Sequence, residues 1–592
     1  MCGIAGVMLS DDTAPDTTIL DRLEAAIAHR GPDGSGRYVQ SNAALLNTRL
    51  AIVDLKTGDQ PFRLPEGVAL VANGEIYNDP EIRAERSEAT YVSKSDCESP
   101  LHLYRSNGAD FVGKLRGMYA IAIYDNPKRR LFLSRDSFGI KPLYYVSTPS
   151  FFAFASEPQA LIAAGLATNG IDGKKRSELL QLKFTSGRQT IFKNICRVLP
   201  GETLVVSEAK IADRRRLNAL NFERHSARGD KTALDELDRL LRNSVTAHVR
   251  SDVPYGLFLS GGIDSTALLT VMSRLTSQPV AAFTASFPDG GGTDESEAAS
   301  LAARSVGADH HVVDVDADDL WTQAGRVASA LDDPTADAAA LPTFKLAACA
   351  KEHGIKVVLS GEGADEVFGG YSRYRRARWL FGLLGRSSRT HGVFDDLRTK
   401  GEQAAFAHWR DGLSQSEAEV HVKGLSALQR LQAFDCVEWL PNDLLLKLDR
   451  CLMWHGVEGR TPYLDAVLSP YALGLSDSLK VRGKFGKWLL RKWLSIHLPS
   501  AGAFAKKVGF VPPVGIWIAA RKAEIERLLL ATPGIAEMAI DDVVRRTMAD
   551  PARNGQAAWS LLFYALWHSH HVLKVSADGT VADILSDAAR RG

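Results

Sequence analysis

The sequence predicts a mixed α/β protein in which stacked antiparallel sheets precede a doubly wound parallel sheet with a helical C-terminal part. Three observations predict this class. Residues 1 to 205 contain short β-like runs separated by turn residues. From Leu234 onward, helical periodicity alternates with buried strand-like runs. From Tyr371 to the C-terminus, the pattern is mostly helical.

Six apolar runs predict the strands of the first half. They are CGIAGVML, ALLNTRLAIVD, GVALVANGEIYN, MYAIAIYD, RLFLSRD and FFAFASE. One amphipathic helix interrupts them and ends at the turn HRGPDG. Its apolar positions are Ile19, Leu20, Leu23 and Ile27.

A polar stretch over residues 207–231 is expected to be an interdomain linker. It contains the arginine run Arg214, Arg215 and Arg216, for which we favour a solvated turn. The boundaries that follow are a first domain over residues 1–206 and a second over residues 232–592.

The second half opens with a predicted helix, followed by buried strands that each lie next to helical segments. The helix presents an apolar face formed by Leu234, Leu237, Leu241 and Val245. The strands are the runs VPYGLFL, VAAFTASF and KVVLSGEG, and their alternation with helices favours a parallel sheet. Near the C-terminus, NGQAAWSLLFYALWHSHHVL lacks acidic and basic residues, but its polar and histidine content favours a buried core helix over a membrane span.

Composition excludes several classes of protein. The 592 residues are 45% hydrophobic and 24% charged, which excludes a disordered or collagen-like chain. With 71 basic and 70 acidic residues, the net charge of +1 gives no general attraction to nucleic acid or membrane, and we expect neither as a partner. The six cysteines show no metal-binding spacing, and no secretory signal is evident, so we expect a cytoplasmic location.

Cys2 directly follows the initiator methionine. Removal of Met1 would leave Cys2 with both a thiol and a free α-amine, and the amine or an amine-bound water could accept the thiol proton. An uncleaved Met1 would block that amine. A cysteine at this position is a candidate nucleophile, although position alone is weak evidence.

Six segments of the first domain resemble, in order, those of the class II glutamine amidotransferases, which hydrolyse glutamine to glutamate and ammonia. They are CGIAG, HRGPDG, RLAIVD, NGEIYN, SDCE and RDSFGIKPLYY. The resemblance implies an αββα sandwich of the N-terminal-nucleophile type, with Cys2 as the nucleophile and Asn73 and Gly74 as the oxyanion hole. It also implies a glutamine pocket that comprises Arg49, Leu50, Asn73, Glu75 and Asp96. A guanidinium suits the substrate carboxylate, and carboxylates suit its ammonium group.

The segment SGGIDS, residues 260–265, lies between an apolar strand and an apolar helix, where backbone N–H groups favour an anion. Its spacing matches neither the Walker A loop nor the Rossmann glycine pattern. It resembles the pyrophosphate-binding loop of the ATP pyrophosphatases. A second segment, SGEGADEVFGGY at 360–371, follows another apolar strand and resembles a signature of asparagine synthetases.

Loops at the carboxyl ends of parallel strands converge on one crevice, so both segments are expected at one ATP site. The resemblance implies that ATP contacts Leu259, Ser260, Gly261, Gly262, Asp264, Ser265, Ser286, Ser360, Gly361 and Lys447. Asp264 and Asp365 are candidate ligands for Mg²⁺, with helix capping as the alternative role. Glu362 would assist proton transfer when ammonia attacks. Lys447 or Arg450 would neutralise phosphate charge.

Two further segments extend the resemblance through the second domain. They are LLKLDRCLMWHGVEGRTPYLD at 445–465 and KKVGFVPP at 506–513. For Glu458 and Arg460, a buried structural pair is slightly favoured over a catalytic role. The whole chain resembles a glutamine-hydrolysing asparagine synthetase, which implies glutamine, ATP and aspartate as substrates, Mg²⁺ as cofactor and a homodimer.

The acceptor carboxylate is the least determined part of this hypothesis. The segment DDPTADAAALP at 332–342 occupies the region that shapes the acceptor pocket in relatives, and it has Ala338 and Ala339 where a serine pair or an arginine is frequent. The acceptor is therefore aspartate or another carboxylate of cell-wall, peptide or secondary-metabolite origin. The retained glutamine-site residues argue against a β-lactam-type synthetase or a noncatalytic paralogue, and the ATP loops argue against a plain glutaminase.

Overall fold

The computed structural model describes residues 2–217, 220, 222, 229–289, 295–379, 390–399, 404–420, 424–505 and 511–591. In these ranges, two six-stranded antiparallel sheets occupy the first half of the chain and a five-stranded parallel sheet occupies the second. The predicted mixed α/β class, with antiparallel sheets before a parallel one, is therefore confirmed.

The strands of the first half form two sheets, with the orders β10-β8-β9-β1-β3-β2 and β12-β11-β7-β6-β5-β4. In chain order they are β1 (Cys2–Leu9), β2 (Gly34–Gln40), β3 (Ala43–Arg49), β4 (Phe62–Leu64), β5 (Val68–Ile76), β6 (Gly117–Asp125), β7 (Arg130–Arg135), β8 (Tyr144–Ser147), β9 (Phe151–Ala155), β10 (Cys196–Arg197), β11 (Glu202–Ser207) and β12 (Lys210–Arg216). The helices of this half are α1 (Thr17–Ile27), α2 (Asp79–Glu85), α3 (Ser99–Asn107), α4 (Pro158–Ala163) and α5 (Gly173–Leu182).

The two antiparallel sheets pack face to face. Ile4 and Met8 of β1 share a buried apolar cluster with Val71 of β5 and Leu133 of β7. The predicted helix is α1, and it packs on the outer face of the first sheet through Leu20, Leu23 and Ile27. Helix α3 packs on the outer face of the second sheet. The layers are therefore helix, sheet, sheet and helix, in agreement with the expected αββα sandwich.

The arginine run lies on an edge strand, so the expectation of a solvated turn was wrong. Strand β12 pairs antiparallel with β11, and the turn between them has Glu208 and Ala209 at φ 50° and 59°. Arg214 lies 3.1 Å from Glu202. An edge strand tolerates such charged, exposed side chains. The sheet thus continues to residue 216, inside the expected linker, and much of the rest of that linker lies outside the described residues.

The parallel sheet of the second half has the order β15-β14-β13-β16-β17, and each neighbouring pair is parallel. Its strands are β13 (Tyr255–Phe258), β14 (Ala281–Ser286), β15 (Asp309–Asp314), β16 (Val357–Leu359) and β17 (Glu458–Arg460). Apolar clusters cover both faces: Val358 contributes to one cluster, and its neighbours Val357 and Leu359 contribute to the other. The sheet is therefore doubly wound, and the two predicted nucleotide loops follow the adjacent strands β13 and β16.

The helices around and beyond this sheet form most of the C-terminal part. They are α6 (Asp230–His248), α7 (Ile263–Leu275), α8 (Ser296–Val306), α9 (Ala317–Ala330), α10 (Ala340–Glu352), α11 (Ala364–Phe368), α12 (Ser372–Trp379), α13 (Asp411–Glu419), α14 (Ala427–Val437), α15 (Leu445–Met453), α16 (Leu468–Gly474), α17 (Asp477–Lys480), α18 (Trp488–His497), α19 (Val514–Ala519), α20 (Lys522–Ala531), α21 (Pro533–Ala536), α22 (Asp541–Ala549), α23 (Gly555–His571) and α24 (Val581–Arg591). The long uncharged segment forms α23, which is buried almost throughout, as predicted. In the described ranges, we find no helix with the length and apolarity needed to cross a membrane.

Candidate active sites

Cys2 lies at the start of β1, beside residues of the facing sheet. The backbone N–H of Cys2 donates to Asn73 Oδ1 at 3.2 Å, and Gln60 Nε2 lies 3.9 Å from the Cys2 thiol sulfur. In the β1–β3 pairing, Cys2 is opposite Arg49. The structure therefore brings together the expected nucleophile, the expected oxyanion-hole amide and the arginine expected to bind glutamine. Met1 lies outside the described residues.

Asn73 keeps one donor free at this site. Its side chain is fully buried, and its Nδ2 has no hydrogen-bond partner among the residues that the structure describes. Leaving a buried donor unpaired costs about 1–3 kcal/mol. The next residue, Gly74, lies so close to β6 that an added Cβ would be 2.2 Å from Met118 O, which only glycine permits. These two positions suit the stabilisation of a substrate oxyanion.

The residues expected to bind glutamine differ in the partners that their side chains have within the protein. Arg49 Nη1 is 2.7 Å from the exposed Asp59. Asp96 Oδ2 accepts from Ile76 N at 2.6 Å, and burial raises the pKa of this carboxyl. Leu50 is buried. The thiol of Cys97, the residue after Asp96, lies 3.5 Å from Gly74 O.

Glu75 contacts the second half of the chain directly. Its Oε2 lies 3.0 Å from Arg460 Nη2 on β17, whereas its Oε1 is buried without a partner in the described ranges. Burial raises the pKa of Glu75 well above its usual range, although Arg460 opposes this effect. Arg460 also binds Glu458 and the backbone oxygen of His248. The expected Glu458–Arg460 pair is thus buried, and it extends to the glutamine site.

The first nucleotide loop is tightly folded at the N-terminus of α7. Ser260 Oγ accepts from Gly262 N at 3.3 Å and lies 3.2 Å from Ser265 Oγ. Gly261 has φ +68°, and an added Cβ would lie 2.7 Å from the backbone nitrogen of Ala299. Leu259 is buried directly before this loop. Backbone N–H groups at a helix start favour an anion, which suits a phosphate-binding role.

The second loop lies against the first. An added Cβ on Gly361, the residue after Ser360, would lie 3.1 Å from Asp264 Cβ. Lys487, which sequence analysis did not identify, bridges the two loops: its Nζ is 2.5 Å from Asp264 and 2.7 Å from Asp365. No local pattern distinguishes this lysine in the sequence, because its partners are far away along the chain.

The side chains of the two expected Mg²⁺ ligands lie close enough together to bind one cation. Asp264 and Asp365 both reach one cation, the Lys487 ammonium, and Asp264 Oδ1 is buried without a partner among the described residues. Across the same residues, no group of three or more histidine, cysteine or acidic side chains is arranged for a metal. Two carboxylates with phosphate and water oxygens form a suitable ligand set for Mg²⁺.

Glu362 and Lys447 lie side by side. Lys447 Nζ is 3.9 Å from Glu362 Oε1 and 2.8 Å from Asp337 Oδ2. Burial raises the pKa of Glu362, and Lys447 opposes that shift. Burial also opposes ionisation of Asp337, but Lys447 and Lys183 together lower its pKa below the ordinary value. Asp337, directly before the alanine pair of the acceptor segment, is a second residue that sequence analysis missed.

Two residues assigned to the ATP site have side-chain partners within the protein. The Ser286 hydroxyl donates to Asp314. Arg450 is buried and lies 3.1 Å from Glu157 and 3.0 Å from Asp332, so its contacts are with the first domain and the acceptor segment rather than with the phosphate loops. These carboxylates already neutralise Arg450. Of Lys447 and Arg450, the two side chains expected to neutralise phosphate charge, Lys447 is the one beside Glu362.

A buried arginine of the HRGPDG motif contacts both domains. Arg30 Nε lies 3.4 Å from Cys2 O, and its Nη1 lies 2.8 Å from Glu157 and 2.9 Å from Asp449. Asp449 belongs to α15, the helix that also carries Lys447. The motif was recognised in the sequence, but this contact between domains was not predicted.

Comparison with protein families matches both halves of the chain. Residues 1–216 match a glutamine amidotransferase domain, and residues 236–569, more than half of the chain, match the asparagine synthase family. The chain belongs to the asparagine synthase family. Both resemblances inferred from sequence motifs are therefore confirmed. Of the segment KKVGFVPP, residues 506–510 lie outside the described ranges.

Individual curated proteins resemble the chain over most of its length. Asparagine synthetase [glutamine-hydrolyzing] 1 of Bacillus subtilis is 29% identical, and the match covers 97% of each chain. Asparagine synthetase B [glutamine-hydrolyzing] of Escherichia coli is 28% identical, with 88% of this chain and 83% of the relative covered. An amidase, chry2, of Gibberella zeae is 32% identical, with 78% and 80% covered. The chain is thus an enzyme of the asparagine synthase family.

Proposed function

We propose that the enzyme is a glutamine-dependent asparagine synthetase that consumes ATP. Glutamine is hydrolysed at Cys2, and the ammonia is transferred to a β-aspartyl-adenylate, so the products are asparagine, glutamate, AMP and pyrophosphate. The observation that supports this proposal is that the structure gathers the expected residues into two separate clusters in one chain. One has Cys2 beside an unpaired Asn73 donor, and the other has Glu362 beside Lys447 and the phosphate loop.

In the first site, the Cys2 sulfur attacks the amide carbon of glutamine, and the amide nitrogen leaves as ammonia after it gains a proton. Water then cleaves the thioester, which releases glutamate and restores the thiol. Asn73 Nδ2 and the Gly74 N–H are proposed to stabilise the oxyanion in each step, and such donors contribute about 3–4 kcal/mol apiece in comparable sites. The unpaired Nδ2 supports this role.

In the second site, a carboxylate oxygen of the acceptor attacks the α-phosphorus of ATP, and pyrophosphate leaves. Ammonia then attacks the acyl carbon, the bond to AMP breaks, and Glu362 accepts the excess proton. Lys447 is proposed to offset charge on the acyl-adenylate. Asp264 and Asp365 would hold Mg²⁺, which when bound would neutralise phosphate charge.

Ammonia would become protonated in water and lose its nucleophilic lone pair, so we propose that it passes between the sites inside the protein. The chain of contacts from Cys2 through Arg30 to Asp449 of α15 supports a direct connection. We also propose a cytoplasmic homodimer, as the family resemblance implies.

A second candidate function is the same amidation chemistry on a different carboxylate, of cell-wall, peptide or secondary-metabolite origin. Two observations favour keeping it. Ala338 and Ala339 supply no polar side-chain atoms beside Asp337, and an amidase is among the similar proteins.

The deciding experiment is mass spectrometry of a reaction that contains purified protein, Mg-ATP, glutamine and aspartate. Asparagine that forms in step with AMP and pyrophosphate would support the proposal. Glutamate without asparagine or AMP would contradict aspartate as the acceptor, and a panel of other carboxylates would then test the second candidate. Glu362→Ala protein is the matched control, because it should release glutamate without forming an amide.

A further inference from the structure

The part of the acceptor segment that precedes α10, residues 332–339, contacts the first domain on one side. It connects α9 to α10 and ends with Asp337 and the alanine pair. Its contacts with the first domain involve side chains as well as backbone. Residues 332–339 belong to the synthetase half, whereas the groups that contact them belong to the glutaminase half.

Asp333 forms the central side-chain contact. It is fully buried, and Arg197 of β10 donates to both of its oxygens, each at 2.7 Å, through Nε and Nη2. The Tyr144 hydroxyl on β8 donates to the same carboxylate at 2.8 Å. A paired guanidinium–carboxylate contact fixes orientation as well as distance. Asp333 is therefore held rigidly against the first sheet.

Backbone contacts extend this attachment along the segment. The Ala336 N–H donates to Lys183 O at 2.7 Å, and Phe184 forms an antiparallel bridge with Thr335. At the start of the segment, Gln159 N donates to Asp332 Oδ2 at 3.0 Å. Three separate parts of the first domain thus determine where residues 332–336 lie.

Asp337, the next residue of the segment, contacts the candidate synthetase site. Asp337 follows Ala336 directly, and its carboxylate holds Lys447, which lies 3.9 Å from Glu362. A shift of the segment would therefore move Asp337, and with it the ammonium group beside Glu362. Displacements of about 1 Å are enough to reduce rates substantially in active sites.

We infer that the glutaminase domain positions the acceptor site through the Arg197–Asp333 pair, so that Arg197 is a positioning residue for amidation even when free ammonia replaces glutamine. The inference rests on the proposed function, since it concerns the acceptor of that reaction. It assigns the first domain a second role that is independent of glutamine hydrolysis.

The test is steady-state kinetics with ammonium chloride, Mg-ATP and aspartate for Arg197→Lys and Asp333→Asn proteins. We expect the KM for aspartate to rise about tenfold or more, and the KM for ATP and the glutaminase kcat to stay within about twofold of wild type. Arg197→Lys keeps the charge but loses the paired geometry. Arg239→Lys is the matched control, because Arg239 also donates through Nε and Nη2 to both oxygens of one carboxylate, Glu236, and this pair is exposed on α6.

A milder variant guards against loss of folding. Tyr144→Phe removes a single hydroxyl contact with Asp333, and we expect a rise of about two- to threefold in the KM for aspartate with a thermal midpoint lowered by only a few degrees. Combining Arg197→Lys with Asp333→Asn should produce less than the product of the two single effects.

Two results would overturn the inference. One is an unchanged aspartate KM in folded Arg197→Lys protein. The other is a lower glutaminase kcat together with a higher KM for both ATP and aspartate, which would indicate a purely structural role. Failure of the proposed function is distinguishable, because wild-type protein would then form neither asparagine nor AMP, and the inference would fall with it.

Discussion

The glutaminase and synthetase sites differ in how they treat buried polar groups. In the glutaminase site, Asn73 Nδ2 and Glu75 Oε1 have no partner among the described residues. In the synthetase site, the two buried lysines are neutralised internally, Lys487 by Asp264 and Asp365, and Lys447 by Asp337. The first site thus leaves a neutral amide donor unpaired, whereas the second pairs both of its buried lysines and leaves one carboxylate oxygen, Asp264 Oδ1, without a partner among the described residues.

This difference corresponds to the charges of the proposed ligands. Glutamine is a small zwitterion with a neutral amide. A neutral donor such as Asn73 Nδ2 can therefore stay unpaired until glutamine binds, which lowers the stability of the free protein by about 1–3 kcal/mol. An unpaired buried ammonium or carboxylate would cost several kcal/mol. A site for a polyanionic nucleotide therefore keeps its cations paired, and ligand binding must rearrange those pairs. The predictions below test this contrast.

The largest expected effect is in the glutaminase half. Cys2→Ala should lower glutamine-dependent amidation about 10³-fold or more and leave ammonia-dependent amidation intact, because only the first site loses its nucleophile. Coupled assays of AMP release with each nitrogen source would measure this. Cys97→Ala is the matched control, since it removes a second buried thiol that lies 3.5 Å from Gly74 O. Loss of the ammonia-driven reaction in folded Cys2→Ala protein would contradict the two-site assignment.

The converse experiment concerns Glu362. Glu362→Ala should reduce amide formation about 10²–10⁴-fold, the range for loss of a general base, while glutamate release persists. Glutaminase and asparagine assays on the same sample would separate the two activities. Unaltered synthesis would remove Glu362 from the mechanism and leave the second site without a base.

The third prediction breaks an internal ion pair of the synthetase site. Lys487→Met leaves Asp264 and Asp365 without their cation, which should lower stability by about 3–5 kcal/mol. Added Mg²⁺ should then raise the thermal midpoint of this variant more than that of wild type, because it no longer competes with the ammonium group.

Lys480→Met is the matched control for that experiment. Lys480 is also buried, but its Nζ donates to the neutral oxygens of Gln432 and Leu473, at 2.7 and 2.6 Å. Its midpoint should respond to Mg²⁺ as wild type does. An equal Mg²⁺ response in Lys487→Met and wild-type protein would argue against these carboxylates as the Mg²⁺ ligands.

Much of the fold could be predicted from sequence because its signals are local. Apolar runs between turn residues mark the strands, and each nucleotide loop is one contiguous motif after a strand. The arginine run was misinterpreted because three successive charges carry no alternating apolar pattern. Only the pairing of β12 with β11, and the contact of Arg214 with Glu202, define it as a strand.

The site residues missed by sequence analysis are those whose roles depend on distant partners. Lys487 meets Asp264 and Asp365 only in the folded chain, and Asp337 gains its role from Lys447. Arg450 looked available for phosphate because its partners, Glu157 and Asp332, lie far from it in sequence. Side-chain charge can be read locally, but its neutralisation cannot.

The smallest expected effect concerns Glu366, a buried carboxyl of the synthetase half that forms no ion pair with any described residue. Its Oε1 accepts from the Tyr371 hydroxyl at 2.7 Å, and its Oε2 has no partner in the described part of the chain. Burial, reinforced by the charge of Asp365, raises the pKa of Glu366 to about 8. Since this lies above the ordinary value, the protonated form stabilises the fold at low pH, and that stabilisation is lost as pH rises through about 8.

Urea unfolding of wild-type and Glu366→Gln proteins between pH 5 and 8 would measure this effect. The wild-type free energy of unfolding should fall relative to the variant by about 2–4 kcal/mol across that range, since glutamine is neutral throughout. Glu297→Gln, which replaces an exposed glutamate on α8, should parallel wild type. If Glu366→Gln also parallels wild type, the carboxyl is already ionised at pH 5. The synthetase half would then tolerate a buried carboxylate charge that no basic side chain among the described residues neutralises, whereas the unpaired Asn73 donor of the first site is neutral.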